Sequence, residues 1–309
     1  MLELKHLRLL RELVEHGTLS AAARCLGYSQ PAVTQQLQGL ERSLGTPLVV
    51  RSRSGISLTE AGEVLLRHGK TALSSLSLAE AEVAAVAGLR SGRIRLACFP
   101  SAAGTILPAA LASVVARHPG LSFSLTEAEP PEALALLDRG ECDVVVAFTY
   151  DEDAKPKRPG STADEVWIPL LRESVHVALA REHPAATSRH IRLSDLRDER
   201  WIAGCPKCRG HLVAACRTAG FEPDIAFETD DYVALQGLAA AGLGVALLPD
   251  LVLSVVHLDT LDVRRLHPAQ CRTVSAVSTP SLLRVPGVRQ TIDALHEASR
   301  AMRLPKVSA

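Results

Sequence analysis

The chain has 309 residues, 47% hydrophobic and 22% charged, with 34 basic side chains balanced by 34 acidic ones. These values exclude a disordered or fibrous chain and provide for two or three soluble domains, with an aliphatic, alanine-rich core because aromatic residues make up only 3%. The zero net charge excludes a uniformly basic coat. It hides a split, however: residues 1–95 hold 12 Lys and Arg against 8 Asp and Glu, whereas 96–309 hold 22 against 26, so the excess suited to nucleic acid lies at the N-terminal end.

In chain order, Leu4, Leu7, Leu10, Leu13 and Val14 fall at helical spacing and predict a first helix over 4–16 that packs under the next two. Ser20 to Leu26 is a short alanine-rich helix, broken by Gly27-Tyr28. Ser29 stands at an N-cap position and Pro31 just inside the following helix, where its missing N–H costs nothing. Val33, Leu37, Leu40 and Leu44 make that helix's buried face, while Thr34, Gln35, Gln38 and Arg42 point elsewhere. Two helices joined by a short glycine-containing turn form a helix-turn-helix, and Thr and Gln side chains can read donor and acceptor patterns on base edges in the major groove. Pro47 to Leu58 then predicts a two-stranded wing turning at Ser54-Gly55, with Arg51 and Arg53 placed for phosphate or minor-groove contact. A helical packing unit with a merely solvated polar face is the bland alternative. The wing and the local basic charge argue against it.

Ala21-Ala22, Ser29-Gln30-Pro31-Ala32-Val33-Thr34, Leu40-Glu41, Leu44-Gly45, Pro47-Leu48, Arg51 and Leu58-Thr59-Glu60-Ala61-Gly62 together resemble the winged helix-turn-helix of LysR-type transcriptional regulators. Leu19 and Val49 stand where that family usually has Phe, a departure that bears on packing more than on DNA reading. The resemblance implies DNA contacts from Ser29, Gln30, Pro31, Ala32, Thr34, Gln35 and Gln38, with Arg51 and Arg53 on the backbone or minor groove.

From Thr59 to about Leu89 the sequence predicts one long helix with a heptad seam at Leu65, Gly69, Ala72, Leu76, Ala79, Val83 and Val86. Such a helix is too long for one small domain and reads as a dimerising linker, as it is in the family; an amphipathic surface helix is the alternative. Beyond Gly88–Gly92 the pattern alternates. Strands are expected at 93–99, 121–128 and 142–148, with helices at 102–118 and 131–139, a parallel α/β unit. Residues 150–165 read as a polar loop whose acid cluster is solvated. A second unit follows: strand material over 166–181, a short helix at 195–196, strands at 200–203, 225–228 and 245–248, and helices at 209–219 and 232–241 with Asp230-Asp231 at a helix start. Strands near Val263 and at 273–277 would cross back before a last helix at 288–302.

Ala219-Gly220-Phe221-Glu222-Pro223 and the run from Ala240 to Pro249 resemble the two-lobed, periplasmic-binding-protein-like regulatory domain of the same family. The expected class is therefore α/β. A winged helix-turn-helix occupies 1–62, a linker helix 63–91 and an effector-binding domain 92–309, with lobe I about 92–163 and 269–309 and lobe II about 164–268. Ligands of open α/β lobes collect beyond the carboxyl ends of strands. That points to Pro100, Ser101 and Ala102, to Phe148 and Thr149, and to Gly204 and Cys205. Ser101 is the foremost contact, its alternative role being a helix cap.

Cys205-Pro206-Lys207-Cys208 departs from the family pattern. A following helix and the neighbours Lys207 and Arg209 both lower a thiol pKa, and His211 offers a third donor, so a redox pair or a soft-metal site at Cys205, Cys208 and His211 competes with two ordinary loop cysteines. No cofactor is expected. Met1 to His6 has no apolar leader, the apolar run 234–258 is cut by Gly242, Gly244, Pro249 and Asp250, and seven scattered cysteines suit a reducing cytoplasm, so no membrane partner is expected. The partners implied are double-stranded DNA, a small-molecule effector, a second copy in a homodimer or tetramer, and RNA polymerase if the protein activates. A binding protein or enzyme using the two lobes alone would not need residues 1–62, and no nucleophile-elbow, P-loop or zincin motif is present.

Overall fold

The N-terminal helices owe their ends to local chemistry that the sequence spells out. The computed structural model describes residues 2–52, 55–86, 92–151, 164–255, 258–305 and 307. Contacts divide it into two units, the first mainly residues 1–83 and the second 84–137 with 141–309. In the first, α1 (Leu4–His16) is followed by α2 (Leu19–Leu26), whose Thr18 side chain accepts from the Ala21 N–H. Gly27 ends α2 at φ 71°, a conformation that a side chain disfavours. Ser29 then caps α3 (Gln30–Leu44) by accepting from the Ala32 N–H.

Leu9, Leu13, Leu19, Ala22, Ala23, Val33 and Leu37 close one small core, and Leu10, Leu40 and Leu48 a second. Three expected core positions are instead exposed: Leu4, Val14 and Leu44. Leu4 and Leu44 sit at helix ends, where the stripe runs past the edge of the core. Val14 follows Leu13 onto the next face of α1, and Glu12 is buried. The wing is present as β1 (Val49–Ser52) paired antiparallel with β2 (Gly55–Leu58), in register Val49 to Leu58. α4 (Glu60–Val86) is the long helix. The seam reading of its lower end needs correction, because Leu65 packs on the second small core and Gly69 sits against Leu7. The exposed part is Ala72, Ala79 and Val83, the last 69% exposed, with Leu76 half-buried. The Val86 side chain and residues 87–91 lie outside the described residues.

The second unit carries a nine-stranded mixed sheet. Its elements are β3 (Gly92–Cys98), α5 (Pro100–Ala103), α6 (Ile106–Arg117), β4 (Leu121–Glu127), α7 (Pro130–Asp138), β5 (Val144–Tyr150) and β6 (Val166–Ala180). Then come β7 (His190–Ile191), β8 (Arg200–Ala203), α8 (Pro206–Thr218), β9 (Asp224–Glu228), α9 (Tyr232–Ala240), β10 (Val245–Pro249), α10 (Asp250–Leu253), β11 (Leu261–Ser278) and α11 (Pro286–Ala301). Strand order is β4-β3-β5-β11-β6-β10-β8-β9, with β7 on β11. β3, β4 and β5 are parallel in the first lobe, as β8, β9 and β10 are in the second.

Three expectations change. The helix predicted over 102–118 is two: the Thr105 hydroxyl donates to the Ser101 carbonyl oxygen, and the chain restarts at Ile106. The strands expected near Val263 and at 273–277 are one strand, β11, of 18 residues. β6 likewise starts beside the end of β11, in the first lobe's sheet, and reaches β10 only from Val175, so the crossing between lobes falls inside these two strands and not at residue 164. Of the polar loop over 150–165, Asp151 ion-pairs with Arg172, and residues 152–163 lie outside the described residues. Asp231 caps α9, its carboxylate accepting from the Val233 and Ala234 N–H groups. Among the described residues, no helix is long and apolar enough to cross a membrane.

Candidate nucleic-acid interface and effector cleft

α3 presents its polar residues on the face opposite Val33, Leu37 and Leu40. Ser29, Gln30, Pro31, Gln35 and Gln38 are exposed, while Ala32 and Thr34 are half-buried. The Thr34 hydroxyl donates to the Gln30 carbonyl (2.9 Å), which leaves its oxygen as an acceptor. Arg42 donates to the Gln38 carbonyl and so lies along the helix. The backbone of Arg51 is in β1, but its side chain, and all of Arg53, lie outside the described residues.

The wing is tied to this helix by residues that the family pattern contains. Glu41 accepts from the N–H groups of Leu48 (2.8 Å) and Val49 (3.3 Å), and Thr59 donates from its hydroxyl to the Pro47 carbonyl and from its N–H to that of Leu48. A Cβ at Gly62 would stand 2.2 Å from the Leu48 carbonyl oxygen, so only glycine fits. Glu12, buried beneath, faces Arg11 (2.8 Å) and His16 (3.4 Å). Burial opposes its charge, but hydrogen bonds from Cys25 and Arg11 hold its carboxyl below the usual range. Glu12, His16 and Cys25 are the one grouping of three metal-capable donors among the described residues.

In the second unit the chemistry is inside. Arg272 of β11 is fully buried. Its Nε donates to Glu173 of β6 (2.7 Å), its directly paired cross-strand neighbour, and its Nη2 to Ser101 Oγ (3.0 Å). The guanidinium lies 4.3 Å from the Phe148 ring centroid and 5.1 Å from that of Phe99. Nη1 finds no partner among the described residues. Burial works against the Arg272 charge, but Glu173 together with Tyr232, Tyr150 and Cys208 outweighs it and the pKa is raised. Glu173 also accepts from the Leu251 N–H (2.7 Å), while Asp250 accepts from the Ser174 N–H (2.9 Å) and lies 2.7 Å from His176 Nε2. A buried polar node thus sits where the two crossing strands pass from lobe to lobe. Removing one partner would leave an uncompensated charge in a dry site.

Beside the node is a pocket of about 400 Å³, counting its open side, lined among others by Tyr150, Gly204, Cys208, Tyr232, Leu212 and Leu247. Burial pushes the Tyr150 and Tyr232 hydroxyls up, keeping both protonated. Cys205 is the N-cap of α8, its Sγ accepting from the Cys208 N–H (3.4 Å), and the two Sγ atoms are 3.1 Å apart. The thiol lowering expected of this motif falls on Cys208 and not on Cys205. Cys205 donates its S–H to Cys208 and is itself pushed up, and Arg272 and the Tyr150 hydroxyl help hold Cys208 down against burial. Arg209, expected to act on the thiols, is paired with Glu228 (2.8 Å). The His211 ring is stacked on Tyr150 at 3.6 Å, and among the described residues Cys205, Cys208 and His211 do not gather as a metal site.

Of the residues named from sequence, Ser101 and Phe148 meet at Arg272, and Gly204 and Cys205 stand at the pocket's thiol end. Pro100 is half-buried, Ala102 is fully buried, and Thr149 is paired with Thr273 in the sheet. Ser101 is not a cap, since Phe99 holds that position and the Ser101 hydroxyl is engaged by Arg272. Arg272, Glu173, Glu129, Tyr150 and Tyr232 were not found by sequence reasoning. The signal was a charge inside an apolar strand, Arg272 ahead of Thr273–Ser278 and Glu173 within β6.

A family model described as LysR substrate binding domain matches residues 87–300, and one described as bacterial regulatory helix-turn-helix protein, lysR family, matches residues 4–63. The HTH-type transcriptional regulator ClcR of Pseudomonas putida is 28% identical over 255 residues, 81% of this chain and 84% of that one. The DNA-binding transcriptional dual regulator OxyR of Escherichia coli is 26% identical over 312 residues, 97% and 95% of the two chains. Among solved structures, a cysteine-to-serine mutant of Corynebacterium glutamicum OxyR, H2O2-bound, superposes with a TM-score of 0.56 at 27% identity, covering 96% of this chain and 94% of that one.

Proposed function

The chain belongs to the LysR family of bacterial regulators, and from that premise we propose how its residues divide the work. It is a DNA-binding transcriptional regulator with an effector-binding domain, and its relatives are regulators rather than enzymes. α3 enters the major groove with Gln35 and Gln38 reading base edges and Ser29, Gln30, Pro31, Ala32 and Thr34 fixing its register, while Arg51 and Arg53 hold the backbone or minor groove. The observation that carries this reading is one capped helix with Val33, Leu37 and Leu40 buried and Gln35 and Gln38 exposed on its other side. A second copy packs along the upper seam of α4, at Ala72, Leu76, Ala79 and Val83, making a dimer that can pair into a tetramer. The protein works in the cytoplasm, with RNA polymerase as a further partner where it activates.

The effector site is the pocket lined by Tyr150, Gly204, Cys208 and Tyr232, with Ser101, Phe148, Cys205 and Arg272 buried behind it. Its ligand is small. Genome-wide footprinting of the purified full chain at fixed salt tests the DNA half. A few dyad-symmetric sites that weaken in Gln35→Ala support it. Diffuse, salt-sensitive binding identical in both proteins overturns it.

A further inference from the structure

Two thiols at the start of α8, of which Cys208 lines the proposed effector pocket, are arranged for chemistry that binding alone does not require. Cys205 and Cys208 are in hydrogen-bond contact at 3.1 Å across the first turn of α8. A disulfide needs about 2.05 Å, so the sulfurs are roughly one ångström from bonding distance and the helix need not unwind. The sites are not equivalent. Cys205 is buried, whereas Cys208 is half-buried and lines the pocket, within reach of a small reagent. Cys208 also receives the Cys205 S–H and feels the Arg272 charge, while Glu129, beside Cys205, has an Oε2 with no partner among the described residues. No other cysteine has this setting. Cys98, Cys142 and Cys216 are buried, the half-buried Cys271 is paired with Ser174 in the sheet, and the exposed Cys25 is held protonated by Glu12.

We propose that Cys208 and Cys205 form a dithiol switch oxidised by small hydroperoxides, with Cys208 as the attacking sulfur and Cys205 as the resolving one. The Cys208 thiolate attacks the distal oxygen of ROOH. An S–O bond forms, the O–O bond breaks, and RO⁻ leaves and is protonated to ROH, so the sulfur loses two electrons to the peroxide and becomes a sulfenic acid. Cys205, giving its proton to the Glu129 carboxylate, then attacks the Cys208 sulfur. The S–S bond forms as the S–O bond breaks, and the departing hydroxide takes the proton as water. The net change is two thiols and one hydroperoxide to one disulfide, one alcohol and one water. A dithiol reductant reverses it by exchange. Arg272 favours the thiolate, and Pro206 at the first helical position keeps the two sulfurs in register on one turn. The inference rests on the effector reading for its effect on DNA, because the pocket that closes around the disulfide is the one assigned to the ligand, but the thiol chemistry stands apart from it.

The test uses the reduced, full-length protein and hydrogen peroxide at one equivalent per chain. Wild type is expected to lose two of its seven thiols, with peptide mass spectrometry placing the disulfide between Cys205 and Cys208 and dithiothreitol restoring both. In Cys205→Ser, Cys208 is trapped as a sulfenic acid by dimedone. In Cys208→Ser, Cys205 reacts more slowly by on the order of tenfold or more. Circular dichroism of both variants checks the fold, and the wild-type result decides the matter if either misfolds. A disulfide elsewhere, none at this dose, or dimedone labelling of Cys205 at the wild-type rate in Cys208→Ser overturns the proposal. Footprints of oxidised and reduced wild type then differ in extent or affinity. Disulfide formation with identical footprints overturns the switch, whereas specific DNA binding without any disulfide leaves the DNA reading intact and overturns only the thiol chemistry.

Discussion

The two units keep their chemistry on opposite sides of their surfaces. Among the described residues of the N-terminal unit the buried side chains are apolar, Glu12 apart, and the residues suited to a partner are exposed on α3. In the regulatory unit Glu173, Arg272, His176, Asp250 and Ser101 are all buried. An outward-facing site can be written into a helix by spacing alone. An inward-facing one needs partners from distant parts of the chain, each adding desolvation that the others must offset. The first kind tolerates change in its reading residues without loss of fold, and the second does not.

The largest effect that sharpens this contrast is expected at Arg272. Arg272→Met leaves Glu173 buried without its cation and should lower the stability of the regulatory unit by about 3–5 kcal/mol, read as an earlier urea transition. Adding Glu173→Leu should restore most of it. A loss that persists in the double variant would show that packing against Phe99 and Phe148, rather than charge, sets the cost. In the N-terminal unit, Gly62→Ala forces a methyl group against the Leu48 carbonyl oxygen and should cost roughly 1–3 kcal/mol, with the wing and α4 loosening together. Gln35→Ala, in contrast, should leave both unfolding transitions unchanged while weakening specific DNA binding by roughly tenfold to a hundredfold. A matching loss of stability would break the comparison, because it would make Gln35 a structural residue.

The smallest effect is a difference of sign with pH. The Glu12 carboxyl is held below the usual glutamate value, so its stabilisation is complete above about 4.5 and is lost as pH falls through its folded pKa. Burial raises Glu129 above that value, so its contribution is complete below about 4.5 and is lost as pH rises through its folded pKa. Unfolding midpoints followed from neutral to acid pH in wild type, Glu12→Gln and Glu129→Gln should therefore shift in opposite directions in the two variants. Shifts of the same sign would contradict the difference in setting.

Much of the N-terminal unit was legible because its determinants are local. Ser29, Pro31 and Gly27 set helix ends within one turn, and the spacing of Val33, Leu37 and Leu40 sets the buried face. Leu44 and Leu65 show where periodicity stops helping: it says which face is apolar, not whether the same unit or another chain covers it. In the regulatory unit the α/β alternation was readable, but the length of β11 was not, because Arg272 and Gln270 interrupt the apolar pattern that marks a strand. The same charge that hid the strand is what organises the site. Ser101 was found through its place after a strand, whereas its partner lies 171 residues away, beyond any local signal. The cysteine pair was visible as a motif, but which thiol is activated depends on Tyr150 and Arg272, which only the fold brings near.

The two crossing strands have a mechanical consequence. β6 and β11 run unbroken from one lobe into the other and are hydrogen-bonded to each other along most of their length. A ribbon of this kind resists stretching and sliding, since either would break rungs in series, but it yields to torsion. Register shifts between Arg265 and Gln270 and between Val274 and Ser275 interrupt the rungs on either side of the Glu173–Arg272 pair. The lobes are thus coupled as by a torsion bar with its compliant section next to a charged clamp. Tightening or releasing the clamp is therefore expected to change the angle of twist rather than the distance between the lobes.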